Sequence, residues 1–339
     1  MLKAELFPGK DEHMKVLVTG SAGHLGEAMV RTLKEKGYDV TSLDLTPSPY
    51  TSVVGSLTDR FVVRQCMESV KIVFHMATLH KPHVATHSKQ QFIDTNISGT
   101  LLLLEEAVRA HVSAFIFTST TSVFGDALVP PPGLPAAWIT EAVNPVPKNI
   151  YGISKESAEQ LCRLYHRTHG LPCLVLRTSR FFPEEDDNRA RREAYADDNL
   201  KVNEYLFRRV DLEDAVNAHI LAGQMAGAIG FDTYIISASS PFQQSDLADL
   251  RIHADRVVKR LFPDYEVAYA QRGWTMFEEI DRVYANEKAR KELGWAPRYD
   301  FRYVLDQLHA GRDFRSPLAR VVGSKGYHTE TFLEGPYPV

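Results

Sequence analysis

The chain is poor in cysteine and has no marked excess of either charge. Its 339 residues include only three cysteines, Cys66, Cys162 and Cys173, and these are far apart. Such spacing excludes a disulfide framework and the paired cysteines of a zinc site, so we expect a protein of the reducing cytoplasm. Lysine and arginine number 39 against 43 acidic residues, without a basic stripe. A protein that binds nucleic acid is therefore not expected.

Long apolar runs are also missing from the sequence. No run reaches the roughly 18 residues that a membrane-spanning helix needs, so we expect no association with a membrane. The leader, residues 1–13, is charged and lacks the apolar centre of a signal peptide. We expect it to lie outside the fold.

Strand-like and helix-like segments alternate over the first half of the chain. Residues 15–20 (KVLVTG) form a short apolar run, and the amphipathic stretch that follows ends at Gly37. Repetition of this pattern predicts an α/β protein with a parallel sheet covered on both faces. The polar segment 184–201 is predicted to be irregular, and the last 17 residues, 323–339, show no regular pattern.

Three glycines at intervals of three residues separate the first strand from the first helix. Gly20, Gly23 and Gly26 would allow a tight turn and a close approach of a pyrophosphate to the helix N-terminus. Asp44 ends the second strand, where a carboxylate accepts hydrogen bonds from an adenosine ribose and repels a 2′-phosphate. Because no arginine follows Asp44 closely, the sequence predicts NAD rather than NADP. The residues expected at the turn are Gly20, Ser21, Ala22, Gly23, His24, Leu25 and Gly26.

The stretch YGISK places Tyr151 and Lys155 on one face of a predicted helix. A phenol has a pKa near 10, and bringing it to about 7 requires about 4 kcal/mol of extra stabilisation of the phenolate. A nearby ammonium and the positive nicotinamide ring could supply that stabilisation. The pair would then transfer a proton at a substrate hydroxyl while a hydride moves to the nicotinamide.

Six motifs together resemble the extended short-chain dehydrogenase/reductases, also called NAD-dependent epimerase/dehydratases. They are TGSAGHLG, FIDTNISGTLLLLEEA, FIFTSTTSVFG, YGISK, LRTSRFFP and KARKELGW, within residues 15–300. The resemblance implies a Rossmann-type doubly wound parallel sheet of about seven strands and a homodimer formed through two long helices. We expect the NAD-binding domain over residues 14–179, with 211–237 returning to it. Residues 180–210 and 238–339 would form a smaller substrate-binding part.

The resemblance also implies roles for single residues. Tyr151 matches the catalytic acid/base and Lys155 the residue that binds the nicotinamide ribose and lowers the tyrosine pKa. Thr120, rather than Ser119 or Ser122, matches the catalytic hydroxyl. Asn96 matches an asparagine that supports this region, and it could instead bind only backbone. Further cofactor contacts are expected from Ser56, Leu57, Met76, Ala77, Thr78, Asn96, Thr118, Tyr151, Lys155 and Arg180.

Several positions depart from the family pattern. Gly55 is followed by Ser56 instead of the aspartate that often touches the adenine, and Thr121 and Ser122 replace the Asp-Glu pair of sugar-nucleotide dehydratases. Dehydratase chemistry is therefore disfavoured. Arg180 replaces an asparagine of the UDP-glucose 4-epimerases, and the following insertion before Asp211 is short. A nucleotide-sugar pocket of the usual kind is not expected.

The segment LRTSRFFPEEDDNR is similar to the uronate dehydrogenases of the same superfamily. Arg189 matches an arginine that binds the substrate carboxylate there, and a guanidinium pairs well with a carboxylate. Alternatively, Arg189 and its neighbours only balance the acidic run 184–187. The residues expected to contact the substrate are Leu79, His80, Thr120, Ser122, Arg180 and Arg189.

A metal site is not expected, although His80, His83 and His87 are spaced like ligands. No carboxylate or cysteine accompanies them, and Pro82 would interrupt a helix. The sequence thus predicts an NAD-dependent oxidoreductase or epimerase acting on a secondary hydroxyl of a sugar or sugar acid. The alternatives are a UDP-glucose-like 4-epimerase, which would use the same residues on a nucleotide sugar, and a non-catalytic NAD-sensing regulator, in which the Tyr–Lys pair tends to be missing.

Overall fold

The computed structural model describes residues 14–326 together with His328 and Phe332. Nine strands lie in this part of the chain: β1 (Lys15–Thr19), β2 (Asp39–Asp44), β3 (Val53–Val54), β4 (Ile72–His75), β5 (Ala114–Thr120), β6 (Ala137–Ile139), β7 (Cys173–Thr178), β8 (Phe231–Ile236) and β9 (Arg282–Tyr284). Seven of them form one parallel sheet in the order β3-β2-β1-β4-β5-β7-β8, and β6 pairs with β9 in a second small sheet. The prediction of a doubly wound parallel sheet of about seven strands is confirmed.

Thirteen α-helices lie in the described ranges. They are α1 (His24–Glu35), α2 (Arg60–Cys66), α3 (Lys89–Phe92), α4 (Gly99–Arg109), α5 (Ile150–His169), α6 (Arg189–Ala194), α7 (Asp197–Glu204), α8 (Leu212–Ile229), α9 (Leu247–Leu261), α10 (Tyr265–Ala270), α11 (Glu287–Glu292), α12 (Phe301–His309) and α13 (Pro317–Val322). A π-helical turn, Ile93–Ser98, joins α3 to α4. Within these ranges, no helix combines the length and the apolar character needed to cross a membrane.

Two apolar layers cover the faces of the large sheet. Val16 and Val18 point to the layer that contains α1 and α8, whereas Leu17, between them in the sequence, packs on the side of α4 and α5. All three residues are fully buried, as expected for a central parallel strand between two helical layers. The α5 helix leaves Ile153 and Leu164 exposed, and the dimer through the two long helices stays a prediction.

A third apolar cluster unites residues from the later part of the chain with α7. Leu200, Val202 and Leu206 are buried there against side chains of α9, α10 and α12. The prediction of an irregular segment over residues 184–201 is wrong, because α6 and the start of α7 lie within it. Polar residues of α7 are buried with hydrogen-bond partners: Asn199 and Asn203 both donate to the Thr275 carbonyl at 3.0 Å. Because these buried residues are polar, the sequence of this segment resembles that of a loop.

Candidate active site

A cavity of about 1170 Å³ opens at the carboxyl edge of the large sheet. It extends past the end of β1, where the direction of strand order reverses, to the residues that follow β7. Open α/β sheets bind ligands at such a reversal. The volume exceeds the range usual for one drug-sized ligand, so the cavity has room for two adjacent molecules.

The glycine turn forms one end of this cavity. Gly20 has a φ of +76° and donates its N–H to the Leu43 carbonyl at 2.8 Å. A Cβ on Gly26 would lie 1.9 Å from the Gly20 oxygen, so helix and strand approach too closely for any side chain. Within the described ranges no side chain caps the first turn of α1, which opens at this end of the cavity. Free N–H groups at a helix N-terminus suit the pyrophosphate of a dinucleotide.

Asp44 lies at the tip of β2 beside this turn. Its Oδ2 accepts the Ala22 N–H at 3.0 Å, and its Oδ1 accepts the Thr46 N–H at 2.8 Å. The carboxylate lines the cavity and is only half-buried, which leaves its other lone pairs for ribose hydroxyls. The arrangement fits NAD, and Asp44 would hold its adenosine ribose.

Most of the residues predicted for the cofactor line the cavity, and three do not. Ser21 is fully buried behind the turn and bonds to the Thr51 hydroxyl at 2.9 Å. Asn96 binds the backbone of Leu79: its Oδ1 accepts the Leu79 N–H at 2.8 Å and its Nδ2 donates to the Leu79 carbonyl at 2.9 Å. Lys155 lies beneath the cavity wall. The residues that do line it are Gly20, Ala22, Gly23, His24, Leu25, Gly26, Asp44, Ser56, Leu57, Met76, Ala77, Thr78, Thr118, Tyr151 and Arg180.

Tyr151 and Thr120 meet at the middle of the cavity. Tyr151 belongs to the first turn of α5, whose start is capped by Asn149 through the Gly152 N–H at 3.1 Å. Burial raises the pKa of the Tyr151 phenol to about 12, and a hydrogen bond with Thr120 opposes that rise. Ser119 instead donates to a carboxylate oxygen of Glu159 at 2.5 Å. Of these two neighbouring hydroxyls, only that of Thr120 contacts the phenol.

Lys155 lies one helical turn beyond Tyr151 but faces the sheet. Its side chain is 2% exposed, and its Nζ lies 4.0 Å from the centroid of the Phe117 ring. Burial lowers the pKa of this ammonium to about 7, although the nearby Glu159 opposes the change. The pKa of Tyr151 responds to burial and to Thr120, so its lowering by Lys155 stays a prediction.

All six residues predicted for the substrate line the cavity, but two differ from expectation in their surroundings. Burial, reinforced by positive neighbours, lowers the pKa of His80 to about 3, which keeps this imidazole neutral. Arg189 is 65% exposed on its side chain and bonds to Glu193 on its own helix at 2.7 Å. Glu193 lies outside the acidic run 184–187, so this contact does not distinguish the two interpretations of Arg189, and its role stays a prediction. The part of the chain that the structure describes holds no cluster of three or more side chains able to bind a metal.

Sequence reasoning missed the arginines that face the substrate end of the cavity. Arg191, Arg208 and Arg282 line it together with Tyr284, although Arg282 lies 74 residues beyond Arg208 in the chain. The small sheet of β6 and β9 brings Arg282 to this position. Adjacent arginines at 208 and 209 were visible in the sequence, but nothing there indicated that Arg208 faces the cavity.

The segment after α13 also reaches the cavity. Ser324 Oγ, the Lys325 N–H and the Gly326 N–H all donate to one oxygen of Glu184, at 2.8, 2.9 and 3.1 Å. The same oxygen bonds to His24 of the glycine turn at 2.8 Å. Burial alone would raise the pKa of Glu184, but these donors lower it to about 2. Glu184 therefore ties the segment 324–326 to the glycine turn.

Comparison with known proteins decides the family. The model of the NAD dependent epimerase/dehydratase family matches residues 16–228, well over half of the chain. The chain belongs to this family. It is 34% identical to a UDP-glucose 4-epimerase of Erwinia amylovora over 46% of this chain and 50% of that protein. It is 29% identical to the dTDP-glucose 4,6-dehydratase of Streptomyces antibioticus over 91% of this chain and 96% of that protein.

A solved structure gives the same result for the fold. A short-chain dehydrogenase/reductase superfamily protein of Agrobacterium tumefaciens, with bound NAD, superposes with a TM-score of 0.63. The match covers 87% of this chain and 96% of that chain at 24% identity. The prediction that NAD is the cofactor is confirmed, and the glycine turn and Asp44 are the features of this family member that fit it.

Proposed function

We propose that this protein is an NAD-dependent oxidoreductase or epimerase that acts on a secondary hydroxyl of a sugar or sugar acid. The observation that carries the proposal is the contact of the Tyr151 phenol with Thr120 at the wall of a cavity whose other end is the glycine turn. The contact supports a role for Tyr151 in proton transfer to or from a second molecule bound beside the dinucleotide.

The choice of substrate rests on relatives and on the residues around Thr120. Both relatives act on hexoses attached to a nucleotide, according to their names. Thr121 and Ser122 stand where sugar-nucleotide dehydratases have their acidic pair, and neither can act as a carboxylate acid or base. An oxidation or epimerisation therefore suits this chain better than an elimination.

The chain's own residues would handle the proton. Tyr151 would exchange a proton with the substrate oxygen, while the Thr120 hydroxyl would hold that oxygen by a hydrogen bond. NAD, when bound, supplies a positive nicotinamide ring that accepts the hydride and favours the phenolate. Burial of Tyr151 excludes water, which strengthens each of these electrostatic contacts.

Replacement of Tyr151 by phenylalanine tests this function. We expect Tyr151→Phe to leave NAD affinity unchanged and to lower turnover by about 100-fold or more, because general acid–base catalysis contributes about that much. Tyr165→Phe is a matched control, since Tyr165 lies on the same helix but not in the cavity. NADH formation and isomer formation would be followed with sugar acids, free sugars and nucleotide sugars. Near wild-type turnover by Tyr151→Phe would refute the proposed role.

Nucleotide-sugar epimerisation is the second candidate, favoured by the 34% identity to a UDP-glucose 4-epimerase. An epimerase returns the hydride and retains its cofactor, whereas a dehydrogenase releases NADH in each turnover. Conversion of a UDP-sugar to its 4-epimer without accumulation of NADH would favour this candidate. Stoichiometric NADH from a free sugar or sugar acid would exclude it as the main activity.

A further inference from the structure

Three guanidinium groups lie close enough to influence one another in the lining of the cavity. Arg191 comes from α6, Arg208 from the segment that precedes α8, and Arg282 from β9. All three line the same cavity as Tyr151. Three separate parts of the fold thus contribute one positive group each to one wall.

The acidic groups nearby do not match this positive charge. Arg208 donates to Glu204 at 2.6 Å, but the same carboxylate also bonds to Arg180 at 3.2 Å and to Arg209 at 2.9 Å. One buried glutamate therefore serves three guanidinium groups. Asp186 bonds to Arg180 at 2.7 Å and lies 3.8 Å from Arg208, and Asp281 pairs with Arg282. The three carboxylates of Glu204, Asp186 and Asp281 are thus outnumbered by five guanidinium groups, those of Arg180, Arg191, Arg208, Arg209 and Arg282.

Of the three arginines, Arg191 most clearly lacks a hydrogen-bond acceptor for one of its nitrogens. Its Nη1 is buried and finds no hydrogen-bond partner within the described ranges. Its guanidinium lies 5.3 Å from the centroid of the Phe277 ring, which orients the group without accepting a hydrogen bond in the plane of its N–H groups. Buried polar atoms in native proteins nearly always have a partner, and an oxygen of a ligand would provide one.

The pKa of Arg208 shows that the guanidinium groups repel one another. Burial, and after it the charges of Arg180, Arg191 and Arg282, lower the pKa of Arg208 below its ordinary value even though Glu204 opposes them. Arg282 donates to both carboxylate oxygens of its neighbour Asp281, at 2.7 and 2.5 Å, and this pairing engages two of its five N–H groups.

We propose that Arg191, Arg208 and Arg282 form a binding site for an acidic group of the substrate, a carboxylate or a phosphate monoester. The site would fix the sugar so that its secondary hydroxyl meets Tyr151, and in this respect it rests on the proposed function. Arginine forks bind both kinds of oxyanion through paired hydrogen bonds. Arg189, the position indicated by resemblance, also lines the cavity, but it is largely exposed and paired with Glu193, and the proposal does not depend on it.

Binding and turnover of matched acidic and neutral sugars test the proposal. A uronate, the corresponding sugar 6-phosphate and the uncharged parent sugar would be titrated into the NAD-loaded protein by calorimetry. We expect Arg191→Gln to weaken binding of the acidic sugar by about 10-fold to 100-fold, because a charge-assisted hydrogen bond is lost. Affinity for the uncharged sugar and for NAD should not change. The uronate and phosphate arms identify which acidic group the site prefers.

Arg290→Gln, on the exposed side of α11, is the matched control and should bind all ligands like the wild type. Arg191→Lys keeps the charge but not the fork, and its affinity for the acidic sugar should lie between those of Arg191→Gln and the wild type. Equal loss of affinity for acidic and uncharged sugars in Arg191→Gln would overturn the proposal, as would wild-type affinity for the acidic sugar.

The binding assay separates this inference from the proposed function. If the acidic sugar binds through Arg191 but no sugar yields NADH or an isomer, the site stands and the proposed function fails. If uncharged sugars are oxidised while neither acidic sugar binds more tightly than its parent, the function stands and the site is refuted.

Discussion

Replacement of Lys155 by methionine should make the protein more stable while it removes activity. The ammonium is 2% exposed, and burial lowers its pKa from 10.5 to about 7. A difference of this size corresponds to about 5 kcal/mol of unfavourable free energy for the charged form in the folded protein. Replacement by methionine removes this charge, so the free energy of unfolding at neutral pH should rise by up to about 5 kcal/mol.

The pH dependence of this effect has a definite sign. Below pH 7 Lys155 is protonated in both the folded and the unfolded chain, so the folded protein carries the full free-energy cost of burying the charge. Between about pH 7 and 10.5 the unfolded chain binds more protons than the folded one, and wild-type stability rises with pH. The advantage of Lys155→Met should be full at pH 6 and should shrink toward zero as the pH approaches 10.5.

Urea denaturation of the two proteins at several pH values measures this difference. Lys36→Met is the matched control, because Lys36 is exposed at the end of α1 and should show no such pH-dependent gain. Turnover of Lys155→Met should fall as well if the proposed role of Lys155 holds. A variant that is less stable than the wild type at pH 6, or a gain that does not change with pH, would refute the reasoning about the buried charge.

Two further substitutions test the cofactor end of the cavity. Asp44→Ala should weaken NAD binding about tenfold and reduce the preference for NAD over NADP, because the ribose loses its carboxylate acceptor; an unchanged ratio of the two dissociation constants would count against Asp44 as the ribose ligand. Glu184→Gln should lower the free energy of unfolding at pH 7 by about 3 kcal/mol, since the pKa of Glu184 falls from 4.5 to about 2 on folding. That loss should be full above pH 4.5 and should fade as the pH falls toward 2, where the wild-type carboxyl also becomes protonated; urea denaturation at pH 7 and pH 3 measures it, and an equal loss at both would contradict the assignment.

The sequence alone determined the features that depend on local pattern and on nearby residues. The spacing of Gly20, Gly23 and Gly26 and the acidic end of β2 predicted the cofactor end, because one strand, one turn and one helix create it. Strand and helix alternation predicted the parallel sheet, since periodicity follows from which faces each element buries. The resemblance to the family, rather than any local pattern, predicted that Thr120 acts together with Tyr151.

Tertiary structure alone decided which polar residues reach the cavity. Asn96 and Lys155 belong to the motifs, but packing turns the first toward the Leu79 backbone and the second toward Phe117. Arg191 and Arg282 lie 91 positions apart, and only the fold brings both to one wall. Glu184 likewise receives its hydrogen bonds from residues 324–326, which only the fold brings close to it. A burial direction or a contact between distant segments depends on how whole layers pack, and no local pattern of residues contains that information.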